Sequence, residues 1–492
     1  MKNKLLNSLN NRLVLFLTIF IFSVVIRLYY LGYESINPDA VNWHYRCQQF
    51  ANGIKYLQFE KTYPHYHPGV TLCYTMSVPT EIYKQITGQI YNSNTYLNFN
   101  FVNSLSLIFV VSFLISLIAL QFSLREGVLF SLILNLEPFF FGNSKLIHLD
   151  TLLSLFIFLS LIFIKNYLNS NSKKDLIYSG LFLALGFLTK SVAIVFFPFS
   201  LIGIYLLSKS SKLKNVSVYL ASFILTVFIL FPAMWVAPVQ TITRIFKEAD
   251  RVGVRTGHSE FFLGEYYDDT SDPGLLFYPV DALIKYSPLI IFGIFLIAVC
   301  IFKFIQNNLS FKKFLNFEVF LLLIYFVYLF VIFYSDKKVD RYLLVLLPPI
   351  FYFLAHNFSK HVKTILALLV VNFISMVYFS PFQFLYFSPI LMNYTNVNNL
   401  VGQKSFGMGM YDLREYLKTN YGEKHLGFYD IKPMETIYPN SKVHDIRETS
   451  QSKVDIVILS VNEVMPEKYT QFTKKESFVI KGVPLYDIYT KN

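Results

Sequence analysis

Long apolar runs separated by short polar connections dominate the chain. A helix needs roughly 17–25 mostly apolar residues to cross about 30 Å of hydrocarbon. Runs of that kind lie near 13–33, 99–121, 126–144, 149–168, 215–236, 283–304, 316–335, 341–357 and 361–380. The stretch 176–208 is longer and is interrupted at Thr189-Lys190 and again at Pro198. It reads as two shorter helices, 176–188 and 191–208, that meet at the lysine. The pattern therefore predicts an all-α polytopic membrane protein with about eleven transmembrane helices.

Loop charge orients these crossings. Alternate connections carry Lys2, Lys4 and Arg12, then Arg125, then Lys165, Lys173 and Lys174, then Lys209, Lys212 and Lys214, then Lys303, Lys312 and Lys313, and last Lys360 and Lys363. Basic loops of this kind face the cytoplasm. Every second loop obeys the rule, which an odd number of crossings requires. The N-terminus is then cytoplasmic and the C-terminal segment extracytoplasmic, in a cell membrane. The first run is long and no small-x-small site precedes Glu34, so it reads as a retained span and not a cleaved signal peptide. Two outer loops, 34–98 and 237–282, interrupt a transmembrane unit of residues 1–380, and residues 381–492 form a separate extracytoplasmic segment. In that last segment 412–417 reads as a short capped helix, and 427–429, 454–459 and 477–480 as strands, enough for a small α/β domain. Its position suits acceptor recognition, shielding of a site or a structural cap.

Composition agrees with lipid as the solvent: 54% hydrophobic, 18% aromatic and only 15% charged over 492 residues, with a mean hydropathy of +0.45. The net charge of +12 falls in the short inner loops, so it is a topology signal and not a nucleic-acid footprint. Cys47, Cys73 and Cys300 are too few for a disulfide scaffold or a metal site. Cys47 and Cys73 share one outer loop, which leaves a bridge between them open.

Candidate chemistry gathers in the outer connections. Asn37-Pro38-Asp39 reads as a helix start, with Asn37 as cap and Pro38 in the first turn. Trp43, Cys47, Phe50 and Ile54 follow on one face, and Asn42, Arg46 and Gln49 on the other, as in an amphipathic helix lying along the membrane surface. The Asp39 carboxylate then lies just above the end of the first crossing, serving either as part of the cap or as a reacting group. Next comes 63–71, Tyr-Pro-His-Tyr-His-Pro-Gly-Val-Thr, a stiff turn. Its His65 and His67 have no third ligand at metal spacing, so a hydrogen bond to phosphate or sugar is the better reading.

Asp150 stands at the outer boundary of an apolar run, with His148 and Lys145 as nearby partners. A carboxylate inside a span costs about 2.5–3.5 kcal/mol, so it is normally paired or used. Lys190 has no acidic neighbour in sequence. Residues 336–342, Asp-Lys-Lys-Val-Asp-Arg-Tyr, place basic groups on the outer side against the positive-inside rule. Arg341 offers a fork suited to phosphate, while Lys337 and Lys338 read as solvated. The second outer loop mixes polar and aromatic residues around His258, suiting a flap over a sugar or a face that packs on the first loop.

Taken in order, these segments resemble the lipid-linked-sugar glycosyltransferases of the GT-C fold. They look most like the branch of protein O-mannosyltransferases and lipid A aminoarabinose transferases (glycosyltransferase family 39-like). The resemblance rests on Asn37-Pro38-Asp39, His67-Pro68-Gly69-Val70, the junction from Lys145 to Asp150, Gly180 to Leu188-Thr189-Lys190, and Asp340-Arg341-Tyr342-Leu343-Leu344 before Pro348-Pro349. It spans roughly residues 10–360. Many members carry two adjacent acids at the first position, whereas Ala40 follows Asp39 here.

The resemblance implies an integral-membrane inverting transferase that moves a sugar from a polyprenyl-phosphate carrier to an acceptor hydroxyl on a lipid, protein or glycan. Asp39 would be the general base. Lys190, Arg341, His67 and Tyr342 would bind the donor phosphate. Asp150, His148 and His258 would orient the acceptor or the basic groups. No nucleotide is implied, and no metal ligand set is read; a divalent cation would need Asp39 and Asp150 close together. A polyprenyl-diphosphate-dependent polymerase or ligase, and a lipid-linked-sugar transporter, would share the hydropathy. No inverted pairing of broken helices favours the transporter.

Overall fold

A computed structural model of the chain describes residues 2–253, 260–267, 271–306, 316–335, 337–391, 405–460 and 463–491. The apolar runs fold as helices. Helix α1 (Lys2–Val25) packs on α4 (Tyr96–Ala119), and between them lie α2 (Pro38–Lys55) and α3 (Val70–Thr87) of the first outer loop. Next come α5 (Leu124–Leu136), α6 (Pro138–Ser144), α7 (Asp150–Ser170), α8 (Lys173–Thr189), α9 (Phe196–Leu207) and α10 (Lys212–Leu230). Further apolar helices span Pro288–Gln306, Phe317–Tyr334, Leu347–His356 and Val362–Phe379. Among the described residues six helices are long and apolar enough to cross a membrane by themselves. The remaining apolar runs fold as shorter helices, such as the expected pair that breaks at Lys190.

Helix α7 is the axis of the bundle, since nearly every residue from Asp150 to Ile164 is buried. It meets α8 through reciprocal hydroxyl bonds, Ser160 Oγ to Ser179 O at 2.8 Å and Ser179 Oγ to Ser160 O at 2.9 Å. Polar side chains bond more readily to a neighbouring helix than to lipid. On its other side α8 lies against α10. A Cβ on Gly180 would come within 2.6 Å of Tyr219 O, so the α8–α10 approach depends on glycine at that position.

Two buried charges tie the end of α1 to its neighbours. Arg27, fully buried, donates from Nη1 to Ser23 O (2.8 Å) and Asn135 Oδ1 (2.7 Å) and from Nε to Ser144 Oγ (2.8 Å). It thereby ties the end of α1 to α5 and α6. Lys145 pairs with Glu34 at 3.3 Å, both nearly without exposure, and also donates to Tyr29 O at 3.1 Å. The sequence expectation that Lys145 partners Asp150 is thus wrong, because Glu34 reaches it first from the exit of α1. Lys338, read as solvated, is in fact 3% exposed and donates to Phe333 O and Ser335 O at 2.7 and 2.6 Å.

The first outer loop follows its local signals. Asn37 caps α2, its side chain accepting from Ala40 N at 2.6 Å, and Pro38 opens the helix. Trp43, Cys47 and Phe50 face inward. Cys47 and Cys73 are joined by a disulfide that clamps α2 to α3, with their Cα atoms 4.5 Å apart. In the second loop, Arg244 of the helix Pro238–Gly253 stacks on Tyr63 at 4.4 Å, so that loop packs on the first. A short hairpin, β1 (Glu260–Phe262) and β2 (Glu265–Tyr267), follows.

Beyond residue 405 the chain forms a helix, Met410–Tyr421, and a mixed sheet of β3 (Leu426–Phe428), β4 (Val443–Asp445), β5 (Ile456–Ser460), β6 (Phe472–Ile480) and β7 (Val483–Lys491). The strand order is β4-β3-β5-β7-β6, parallel among β3, β4 and β5 and antiparallel at β7.

Replacing Asn135 by Leu removes the neutral acceptor that best satisfies the buried Arg27 head. We expect a loss of about 2–3 kcal/mol, read as a lower melting temperature in detergent. An unchanged melt would show that Arg27 is held by Ser23 and Ser144 alone.

Candidate active site

Four chain features deliver charge to one place. The cap of α2 puts Asp39 in its first turn, where the helix N-terminus favours a carboxylate. Asp150 is the first residue of α7 and has the same advantage. Lys190 terminates α8 with extended backbone (φ −149°, ψ 129°), so its side chain leaves the helix axis sideways and not along it. Arg341 and Tyr342 lie in the 3-10 turn Asp340–Leu346 that packs on α7.

His148 joins the two acids. Its Nε2 lies 3.1 Å from Asp39 Oδ2, and its Nδ1 lies 2.9 Å from Asp150 Oδ2. Lys190 Nζ donates to Asp150 Oδ1 at 2.6 Å. Arg341 faces both acids at longer range, Nη1 to Asp39 Oδ2 at 3.5 Å and Nε to Asp150 Oδ2 at 3.8 Å. Neither of these Arg341 nitrogens has a hydrogen-bond partner among the described residues, although both are buried. Two carboxylates and two fixed cations therefore balance around one imidazole. Exposure decides their roles: the Asp150 side chain is 3% exposed and that of Lys190 5%, whereas Asp39 is 37% exposed. Asp39 is the acid that an incoming molecule can reach.

Burial alone would raise the Asp39 carboxyl. The hydrogen bond from His148 and the charges of His148 and Arg341 outweigh it and hold the group well below the usual carboxylate range. His65 and His67 move down as well. Burial is the main cause for each, helped by the Arg46 charge at His65 and the Lys190 charge at His67. His65 falls to about 3. Both rings are thus neutral hydrogen-bonding groups near neutral pH.

The Tyr63–Thr71 turn is stitched to the break after α8. His67 Nδ1 lies 3.2 Å from Ser191 Oγ, Thr71 and Thr189 hydroxyls are 2.6 Å apart, and Gly69 N donates to Thr189 O at 3.1 Å. Gly69 has φ +61° and lies so close to the Trp43 ring that no side chain fits there. The ring face of Tyr342 meets the Lys190 ammonium at 4.5 Å, a cation–π contact. Next to this cluster lies an apolar slot of about 280 Å³, lined by Val70, Tyr74, Val110, Leu152, Phe156 and Leu188 among others.

Of the residues singled out from the sequence, Asp39, His148, Asp150, Lys190, Arg341 and Tyr342 come together, and His67 borders them through Ser191. His258 lies outside the described residues. Among the described residues no three His, Cys, Asp or Glu side chains are placed to hold a metal ion. Sequence reasoning missed Ser191 and Phe406, the latter lying 4.3 Å under the Arg341 guanidinium. No local pattern marks either one.

Residues 85–235, from the end of α3 to the turn after α10, match the family model described as dolichyl-phosphate-mannose-protein mannosyltransferase. No curated protein sequence matches the chain. Solved structures that match the chain do so at low identity and with TM-scores below 0.5; three of them follow. The S. cerevisiae protein O-mannosyltransferase complex bound to the sugar donor is 18% identical over 47% of this chain, with a TM-score of 0.35. This chain covers 34% of that protein, about a third of its length. The apo oligosaccharyltransferase of Archaeoglobus fulgidus is 12% identical, covering 91% of this chain and 69% of its own, with a TM-score of 0.48. ArnT from Cupriavidus metallidurans, bound to undecaprenyl phosphate, is 10% identical, covers 97% of each chain and has a TM-score of 0.49. Through its central helices, which carry the match over residues 85–235, the chain is thus similar to the GT-C glycosyltransferases of the protein O-mannosyltransferase and aminoarabinose transferase branch.

Proposed function

We propose that the protein is an inverting membrane glycosyltransferase that moves a sugar from a polyprenyl-phosphate carrier to an acceptor hydroxyl at the extracytoplasmic face. The observation that carries this reading is the convergence of Asp39, His148, Asp150, Lys190 and Arg341 beside an apolar slot. The slot suits an isoprenoid tail and the cations suit its phosphate. The Cys47–Cys73 bridge supports an oxidising, outer side for this loop. The N-terminus is then cytoplasmic and the segment after residue 380 outside, facing a lipid, protein or glycan acceptor.

In the reaction, the acceptor oxygen attacks the anomeric carbon while its proton passes to Asp39. The bond from that carbon to the phosphate oxygen breaks on the opposite side, and the electron pair leaves with the phosphate. Lys190 and Arg341 stabilise the charge that grows there. Asp150 acts by holding Lys190 and His148, so it orients the basic groups, and His67 donates or accepts at the phosphate edge. The resting contacts of Asp39 also explain how a strongly held carboxylate becomes a base. Donor phosphate competes for Arg341, and once that cation is engaged the Asp39 carboxylate loses part of its stabilisation and gains proton affinity.

Three outcomes test the reading. In membranes supplied with radiolabelled polyprenyl-phosphate sugars, Asp39→Asn keeps size but not basicity, and transfer should fall by about 10²- to 10⁴-fold at equal protein abundance. Equal transfer would remove Asp39 from the mechanism. Lys190→Ala and Arg341→Ala should each lower kcat by about 10²- to 10³-fold, with Arg341→Lys restoring little because a point charge cannot replace the fork. Full rescue by lysine would refute that role for the guanidinium. Last, a depressed folded pKa at Asp39 contributes stability above the ordinary aspartate value, about 3.9, and loses it as pH falls through the folded value. The melting difference between wild type and Asp39→Asn should therefore be flat from about pH 8 to 5 and change only in more acid buffer. A change centred near neutral pH would contradict the ion-paired state.

A further inference from the structure

Phe406 is remote in sequence from the other residues of the cluster and carries no charge, yet its ring closes one side of it. The Arg341 Cζ stands 4.3 Å over the ring centroid, the His148 ring meets it edge-on at 6.3 Å, and Phe384 stacks on it at 5.8 Å. A guanidinium over an aromatic face is attracted by the ring quadrupole, which also fixes the plane of the fork. Arg341 has few other constraints. Its contacts with Asp39 and Asp150 are long, and its Nε and Nη1 lack hydrogen-bond partners among the described residues.

The backbone shows that this ring is held in place and not merely nearby. Phe406 has φ +45°, a left-handed conformation unusual for a bulky residue. Gly407 and Gly409 follow at φ +69° and +64°, and a Cβ on Gly407 would collide with the Ile36 carbonyl. Residues 405–409 bind the entrance of α2 on one side. Ile36 N donates to Gly407 O and Gly409 N to Glu34 O, both at 2.9 Å, and Ser35 pairs with Met408. On the other side they bind the sheet, through Ser405 and Ser460 hydroxyls at 3.0 Å and Tyr486 OH to Met408 O at 3.1 Å. One short strap thus reaches both the helix that carries Asp39 and the cation that faces it.

We propose that Phe406 is a positioning residue that sets the plane of Arg341 against the donor phosphate, so that the strap leading into the C-terminal sheet completes a site otherwise built by residues before 381. This rests on the glycosyl-transfer reading. The test uses the purified full-length protein, with undecaprenyl phosphate binding followed by native mass spectrometry and sugar transfer measured in parallel. Phe406→Leu keeps volume without a ring face and should weaken phosphate binding and lower kcat by roughly tenfold, with acceptor KM unchanged. Phe406→Tyr keeps the face and should stay within about twofold of wild type. In an Arg341→Ala background, Phe406→Leu should add no further loss of binding. Leu binding as tightly as wild type, Tyr failing as badly as Leu, or a full additional loss without Arg341 would each overturn the assignment. Melting curves accompany every variant, and Phe406→Met replaces Leu in the same comparison if Leu does not fold. Wild type that binds the lipid phosphate but transfers no sugar would sink the proposed reaction alone, and the binding comparison would still decide the role of Phe406.

Discussion

A charge in a water-poor interior has to be balanced where it stands, and Asp150 is the charge around which this cluster is arranged. Its side chain is 3% exposed, so an unpaired carboxylate there would face a desolvation penalty of several kcal/mol. Lys190 answers it at 2.6 Å, and only a break in the helix between residues 189 and 191 lets that lysine turn towards α7. His148 and Arg341 complete the balance and at the same time reach Asp39. The electrostatic requirement of one buried acid therefore brings α2, α7, the end of α8 and the turn before Leu347 to a common point.

Much of this was legible in the sequence, for physical reasons that differ from element to element. The helices announce themselves because lipid demands long apolar runs. The cap at Asn37 and the break at Lys190 are local signals, and both are seen. Charges at membrane depth were legible as a set, since each is too expensive to be incidental. Which charge meets which was not. Lys145, five residues from Asp150 in sequence, pairs instead with Glu34, and Lys338 turns inward to two carbonyls. Pairing depends on how helices far apart in sequence pack, and periodicity carries no record of that. The contact of the Tyr342 ring with Lys190 likewise joins residues far apart in sequence. In the C-terminal segment the helix and strands β3, β5 and β6 carried propensity signals. Three-residue β4 and the Pro484-containing β7 did not, and they are defined by pairing with their neighbours.

The buried charges of this protein divide into two kinds, and the division separates structure from chemistry. Arg27 makes three hydrogen bonds of 2.7–2.8 Å and leaves its Nη2 without a partner among the described residues, and Lys145 and Lys338 bind backbone carbonyls. An incoming ligand would have to break short bonds to recruit these groups. Arg341 is held more loosely. Its ion pairs are 3.5 and 3.8 Å long, its Nε and Nη1 are buried without acceptors among the described residues, and an aromatic ring supports it from behind. An anion arriving at Arg341 gains hydrogen bonds and gives up little, because the existing contacts are weak for their distance. A buried donor left without an acceptor is destabilising by about 1–3 kcal/mol, and Arg341 carries two such donors with no short bond to hold them. The loosely held Arg341, more than the tightly held Lys190, is therefore the group on which the proposed phosphate binding turns.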